Sequence, residues 1–334
     1  MFHYYHSGYN YGFIVFSFYI FWIYEEVVKN YLLDIIIVNW NSGLLLEKCI
    51  RSIYDTTNEV EFKIIIVDNN STDDSIKNLP IGRREIIITS NINLGFAKAC
   101  NFGAGNSDSD FILFLNPDTV IRGNVIKSAI NFLVSSPYVG ILGVRQESET
   151  GKLLPSCSRF LRAKNLIYDI FGLSKLYPGK LKPATIMTDW DHKTSSVVDQ
   201  VMGSFMLLRR ADFVNLGGFD EQFFVYYEDM DLARRMLGLG KYSYYLSSIA
   251  IIHSGWGTSR SIMDKRLFYS LSSRIKYSRK HLDKIEACII TLITLLPESI
   301  IRIIYSVFIQ CSIANALSTI KGYKLLTGWM LKGR

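Results

Sequence analysis

The stretch Phe111-Ile112-Leu113-Phe114-Leu115-Asn116-Pro117-Asp118-Thr119 decides the fold. Its five consecutive apolar residues read as a strand buried on both faces, of the kind found inside a parallel sheet. Pro117 has no amide hydrogen to donate to a ladder, so the strand stops there. Asn116 and Asp118 are then presented at its carboxyl end, where ligands of open α/β sheets bind. A carboxylate there suits a hard divalent cation and the phosphates that accompany it. Taken alone, the triplet is equally a plain turn in which Asp118 caps the next helix.

The flanking chain makes the choice. Leu33 to Trp40 and Phe62 to Val67 are β-branched runs that read as strands, and Glu85 to Thr89 is a shorter one. Between them, Leu44 to Tyr54 has helical periodicity, with Leu45, Cys49, Ile50 and Ile53 on one face. Ser71 or Thr72 is placed to cap a helix after the second strand. Gly95 to Ala104 and Asn124 to Leu133 read as helices, and Val139 to Val144 as a strand. Strand and helix alternate from Leu33 to Val144, which predicts a parallel sheet with helices on both faces. From Gly151 to Asp199 the alternation is lost, apart from a short helix near Asn165 to Phe171. It resumes with a strand over Val201 to Leu208, a helix over Asp229 to Leu239, strands near Tyr242 to Leu246 and Ile249 to His253, and a long helix over Met263 to Lys280.

The 334 residues suffice for one large α/β domain and an appendage. Hydrophobic residues make up 49% and charged residues 20%, an apolar balance for an enzyme free in solution. The net charge of +7 is compatible with anionic lipid, nucleic acid or nucleotides and does not choose among them. The basic residues are dispersed and no aromatic-basic motif occurs, so nucleic acid is not an expected partner. The five cysteines are scattered without a C-x-x-C pair, which reads as reduced thiols and no zinc site.

Polar clusters fall at strand ends: Asn39-Trp40-Asn41, Asp68-Asn69-Asn70-Ser71 and Asn116-Pro117-Asp118. In a parallel sheet they meet along one edge, where the first two can bond a nucleobase and ribose and Asp118 can hold a metal on a diphosphate. No P-loop or G-x-G-x-x-G occurs. A further cluster, Glu228-Asp229-Met230-Asp231, opens a helix. Asp229 lies one turn before Leu232, Ala233 and Met236, the apolar face, and so projects inward. Asp231 lies one turn before Arg234 and Arg235 and reads as a solvated ion-pair partner worth about 0.5 kcal/mol or less. Glu228 is a cap or a ligand for a second substrate.

In order, Asp34 to Asn41, Val67 to Asp73, Asn93-Leu-Gly-Phe-Ala97 with Asn101-Phe-Gly103, Asn116-Pro-Asp118, Gly217 to Glu221 with Tyr227 to Leu232, and His253 with Ser259 resemble family 2 glycosyltransferases. The likeness is to the GT-A fold and its rhamnosyltransferase-like bacterial branch, and it runs from Leu33 to Ser259. It implies a mixed, mostly parallel sheet over 32–260, after an apolar aromatic extension over 1–31 and before a membrane-associated helical region over 261–334. By the same resemblance Asn39, Asn41, Asp68, Asn69, Asn93, Gly95 and Asn116 bind the nucleotide sugar. Asp118 and His253 hold Mg²⁺ or Mn²⁺, Asp229 is the base, and Glu221 and Glu228 meet the acceptor. Asn116 stands where the usual D-x-D has its first Asp, and Asn69 where many relatives have Asp.

The implied reaction is inverting transfer of a sugar, with rhamnose a candidate, from a nucleotide diphosphate sugar to a glycan or polyprenyl-linked acceptor in surface polysaccharide synthesis. Two rivals stand beside it. One is a degenerate scaffold subunit. The other is a sugar nucleotidyltransferase, disfavoured because the loop Asn39 to Gly43 carries no cation for a triphosphate.

Two regions speak to membranes. Tyr9 to Tyr24 is short for a span and reads as an interfacial anchor, a tilted span, or an upstream extension. Ile285 to Leu296 and Ile300 to Leu317 are apolar runs interrupted by Pro297-Glu298 and followed by Lys321, Lys324, Lys332 and Arg334. That pattern predicts helices lying in the interface on the cytoplasmic face of the membrane, with a hydrophobic pair packed on the domain as the alternative.

Overall fold

The computed structural model describes residues 32–77, 79, 82, 84–178, 180–255 and 262–333. The Tyr9 to Tyr24 run and Ser259 lie outside them. In chain order the first elements are β1 (Leu32–Asn39), α1 (Leu44–Thr56), β2 (Glu61–Asp68), β3 (Glu85–Thr89), α2 (Phe96–Ala104) and β4 (Phe111–Leu115). Next come β5 (Thr119–Val120), α3 (Val125–Ser135), β6 (Val139–Glu147), β7 (Leu153–Leu154), β8 (Cys157–Ser158), α4 (Ala163–Ile170) and α5 (Leu173–Leu176). They are followed by β9 (Ser196–Val198), β10 (Gln200–Val201), β11 (Phe205–Arg209), α6 (Arg210–Asn215), α7 (Glu228–Gly238) and β12 (Tyr242–His253). The chain continues through α8 (Met263–His281), α9 (Lys284–Leu295), α10 (Pro297–Ile304), a π-helical turn (Tyr305–Ile309) and α11 (Ile313–Leu331).

The main sheet has the order β3-β2-β1-β4-β11-β6-β12-β5. Strands β1 to β4 are parallel, as are β6 and β12, while β11 runs antiparallel between the two blocks. The sheet is therefore mixed and mostly parallel. Its central strands β1, β2, β4 and β11 are mostly apolar because both faces are covered. Ile35 and Ile37 pack with Leu46 and Ile50 of α1, whereas Ile36 packs with Ala97 of α2 and with Phe213 and Leu232 on the other face.

Five expectations are corrected. No helix follows β2 among the described residues, because Ser71 and the Thr72 and Asp73 amides bond to Asn39 and Asn41 instead of capping. The Val201 to Leu208 run breaks at Gly203, so β10 pairs with β8 and β11 joins the main sheet. The two strands expected over 242–253 are one, β12, whose register shift between Leu246 and Ala250 absorbs the polar interruption. Asp231 is not solvated: it is fully buried. Pro297 does not end the apolar run. It sits at the start of α10, where its missing amide is not needed, and the chain stays helical from Lys284 to Ile309, 26 residues. The break comes at Cys311, which has φ +49°. Among the described residues this run is the one helix long and apolar enough to cross a membrane.

Candidate active site

Strands β1 and β2 end in register, Asn39 opposite Asp68. Asn39 is completely buried, and its amide donates to Asp68 Oδ1 at 2.8 Å, Ser71 Oγ at 3.0 Å and Ser75 Oγ at 2.9 Å. It therefore orients Asp68 from below, while its own Oδ1 has no partner among the described residues. Asn41, at φ +53°, accepts through Oδ1 from the Thr72 amide at 2.7 Å and so pins the loop after β2. Asn69 accepts from the Leu94 amide at 2.6 Å and donates to Asn93 Oδ1 and Gly95 O, each at 3.1 Å. Its side chain fastens the 93–95 turn to the sheet. Gly95 has φ +81°, and a Cβ there would lie 2.3 Å from Phe224 O. Only glycine lets this turn approach the 219–227 segment.

The other end of the site is built on β4, β6 and β12. The Asn116 amide donates to Ser204 O at 3.1 Å, and Asn116 O accepts from the Thr119 amide, a tight turn that exposes Asp118 beyond Pro117. His253 Nε2 lies 3.3 Å from Asp118 Oδ1. The other ring nitrogen, Nδ1, lies 2.9 Å from Gln146 Oε1, so the two oxygens hold the imidazole between them. Gln146 in turn donates to Ser204 Oγ at 2.5 Å. Burial raises the Asp118 carboxyl, but His253 and the Gly255 amide outweigh it and hold the group below its usual range.

One dipeptide joins this end to Asp229. Ser204 meets Asn116 and Gln146, and its neighbour Gly203 donates its amide to Asp229 Oδ2 at 3.3 Å. Burial pushes Asp229 up to about 6 despite that bond. Glu228 is buried, its Oε2 lacks a partner among the described residues, and burial plus repulsion from Asp229 push it well above the carboxylate range. Asp229 is the more exposed of the two, and Glu228 lies behind it. Glu221 is exposed and meets Asn101 Nδ2 at 3.2 Å and Lys98 Nζ at 3.6 Å. Asp231 meets Arg235 Nε at 2.7 Å and, at 2.6 Å each, Lys280 Nζ and His281 Nε2. Arg234 instead covers the Phe160 ring at 4.9 Å.

Sequence reading overlooked Gln146, Gly203 and Ser204. Gln146 had a signal, since it is a polar residue closing an apolar strand, the same sign that marked Asp68 and Asp118. Gly203-Ser204 is the small, flexible break within an otherwise apolar run.

A divalent metal would fit this chemistry only in part from the protein. Asp118 and His253 supply one oxygen and one nitrogen, and no group of three such ligands occurs among the described residues. That donor set suits an ion whose remaining positions are filled by phosphate oxygens and water, as for Mg²⁺ or Mn²⁺.

Residues 34–179 match the family described as Glycosyl transferase family 2. Rhamnosyltransferase WbbL of Escherichia coli (strain K12) is 30% identical over 178 residues, 51% of this chain and 62% of that protein. The chain thus spans less than two thirds of that relative. The N-acetylglucosaminyl-diphospho-decaprenol L-rhamnosyltransferase of Mycobacterium tuberculosis is 25% identical over 237 residues, 66% of this chain and 75% of that protein. Mannosyltransferase PcManGT from Pyrobaculum calidifontis, solved with GDP-Man and Mn²⁺, superposes with a TM-score of 0.51 at 13% identity. That match covers 96% of this chain and 84% of the other, and it speaks for the fold. Residues 34–179 of this chain are thus similar to glycosyltransferase family 2, and the sheet shares its fold with that mannosyltransferase.

Proposed function

We propose that the protein is an inverting glycosyltransferase. It moves a sugar, rhamnose first among candidates, from a nucleoside diphosphate sugar to a hydroxyl of a glycan or polyprenyl-linked acceptor in surface polysaccharide synthesis. The observation that carries this reading is the Gly203-Ser204 bridge, which ties a carboxylate poised to take a proton to one held ionised beside an imidazole. The relatives named for rhamnosyl transfer, one of them to a diphospho-decaprenol acceptor, support the donor and acceptor classes.

In the reaction the acceptor oxygen bonds to the anomeric carbon as the bond from that carbon to the diphosphate oxygen breaks. The acceptor proton passes to Asp229, whose raised pKa makes it a base matched to neutral pH. Glu228 beside it is buried, and burial and repulsion from Asp229 push its carboxyl well above the usual range. Asp68, oriented by Asn39, faces the nucleoside, and Asn93, Gly95 and Asn116 shape the donor's bed. Glu221 stands at the exposed rim for the acceptor. Asp118 and His253 would hold the divalent ion, which when bound offsets charge on the departing diphosphate.

A membrane surface is the proposed workplace. Ile285, Leu292, Leu296, Ile300, Ile304 and Phe308 recur every four or seven residues, and each is at least half exposed. They form one outward apolar stripe, while Glu298 turns inward to Arg274. Lys321, Lys324 and Lys332 line a groove with Trp329 on the neighbouring helix, a surface suited to anionic lipid.

The test uses the purified chain with a panel of nucleotide sugars, Mg²⁺ or Mn²⁺, and a lipid-linked acceptor, scored for released nucleoside diphosphate. Acceptor-dependent release is expected from one donor. Asp118→Ala should abolish the metal's enhancement of nucleoside diphosphate binding, and equal enhancement in variant and parent overturns that assignment. Alkaline carbonate should strip the protein from membranes, whereas full retention means a spanning helix.

A further inference from the structure

Helix α11 changes character along its length. Ile313, Leu317 and Ile320 are exposed apolar residues, and Lys321, Lys324 and Lys332 follow them. Leu317 and Ile320 lie one turn before Lys321 and Lys324, so apolar surface and ammonium groups stand side by side. A phosphorylated lipid needs both, whereas free phosphate needs only the charge.

The lysines line a groove. Gly322 is buried, and a Cβ there would lie 3.0 Å from Asp264 O, so α11 lies close against the first turn of α8. Beside that contact a groove of about 530 Å³ opens, a size common among small-molecule sites. Asp264 lines it from α8, and Lys321, Lys324, Lys332, Leu325 and Trp329 line it from α11 and its end. Gly328 lines it too, and a Cβ there would meet nothing within 4 Å. Among the described residues neither the three lysines nor Asp264 forms an ion pair, so the lining keeps a net positive charge.

Trp329 links the groove to the acceptor rim. Lys276 Nζ lies 5.6 Å from the centroid of its ring, and the same ammonium donates to Gln222 O. Gln222 follows Glu221, the exposed carboxylate of the rim. Lys276 is only partly exposed and makes no ion pair among the described residues. Burial lowers its ammonium, against the opposing pull of Asp220, as expected of a charge short of a counter-ion.

We infer that this groove seats the phosphate-bearing head of the polyprenyl-linked acceptor, with the lysines on the phosphate oxygens and Trp329 and Leu325 against the first prenyl units. The inference rests on the proposed lipid-linked acceptor. The observations favour that lipid over bulk anionic lipid: bulk headgroups need only a basic face, whereas this site is a groove joined through Lys276 to the acceptor rim.

The probe is farnesyl diphosphate, titrated calorimetrically into the full chain with EDTA present, so that no metal draws the diphosphate to Asp118. Binding is expected, with inorganic diphosphate and farnesol each weaker by about tenfold or more, since each keeps one half of the ligand. Lys321→Gln/Lys324→Gln should weaken the probe about 10- to 30-fold. Lys152→Gln/Lys175→Gln removes the same charge from other exposed positions and should stay within about twofold. Gly328→Leu fills open space on a helix and should weaken the probe about tenfold, with retention on phosphatidylglycerol vesicles as in the parent.

Inorganic diphosphate that binds as tightly as farnesyl diphosphate overturns the inference, as does parent-like binding in Gly328→Leu. Equal losses in the two lysine pairs mean general charge attraction and overturn it as well. A loss of vesicle retention in Gly328→Leu as large as its loss of the probe assigns the groove to bulk lipid and has the same consequence. Should Gly328→Leu fail to fold, the two lysine pairs decide. If the parent releases no nucleoside diphosphate from any donor, the glycosyltransferase reading fails, while the titration still decides what the groove holds.

Discussion

The two ends of the site are built in opposite ways. Asp118 stands at the rim of a rigid strand pair, faced by His253, with Gln146 behind the imidazole. Glu228 and Asp229 stand side by side at a helix start, and the donors that reach Asp229 are the Gly203 and Met230 amides and Gln200, none of them a cation. The first carboxylate is held below its usual range and the second is pushed up to about 6. Two residues further on, Asp231 is buried more deeply than Asp229 and is nevertheless lowered, because His281, Lys280 and Arg235 outweigh its burial. Environment, and not residue type, divides these acids into one that keeps its charge, one that takes a proton and one that fastens a helix.

The largest expected effect breaks the comparison at the base. Asp229→Asn keeps the size and one of the two backbone amide bonds but cannot accept a proton. Turnover should fall by about 10² to 10⁴ with donor affinity unchanged. Paired binding and rate measurements check this, and an undiminished rate would remove Asp229 from the mechanism.

Asp231→Asn should separate fastening from chemistry. It leaves the positive charges of Arg235 and Lys280 around an uncharged amide and should cost about 3–5 kcal/mol in urea unfolding, while turnover per folded molecule persists. The pH sign follows from the lowered carboxyl. The parent's extra stability is present above the unfolded-state value of about 4 and is lost as pH falls through the lower folded value. The variant should lack that acid limb.

Gln146→Leu tests the metal end. It removes the partner that orients the His253 ring, so metal-enhanced donor binding should weaken about 10- to 100-fold in calorimetric titration. Unaltered enhancement would leave His253 independent of its support.

The smallest effect sharpens the contrast without mutation. With deprotonated Asp229 as the proposed base, kcat should fall about tenfold per pH unit below about 6 and level off above it. A limb centred near 4 would mean that burial does not raise Asp229 during turnover.

Much of this was legible in the chain. Apolar runs that end in Asn39, Asp68 and Asn116 announced strands with polar ends, and β1, β2 and β4 do end together. Helical spacing turned Asp229 inward from its own helix. The same spacing misread Asp231, because Arg235 is visible one turn along while Lys280 and His281 arrive about 50 residues later from another helix. Ser71 and Thr72 looked like caps because a hydroxyl beside a turn has no visible competitor; their competitors are Asn39 and Asn41 of a neighbouring strand.

What the sequence by itself determined were most of the elements and the order of the motifs, because periodicity, missing amide donors and strand-end polarity act over a few residues. What only the tertiary structure decided were the directions in which the carboxyls of Asp118, Asp229, Glu228 and Asp231 are shifted, the bridge through Gly203 and Ser204, and the contacts of α8 with residues 220–231. Each depends on desolvation and on partners from distant parts of the chain, and local spacing carries no record of which distant side chain will arrive.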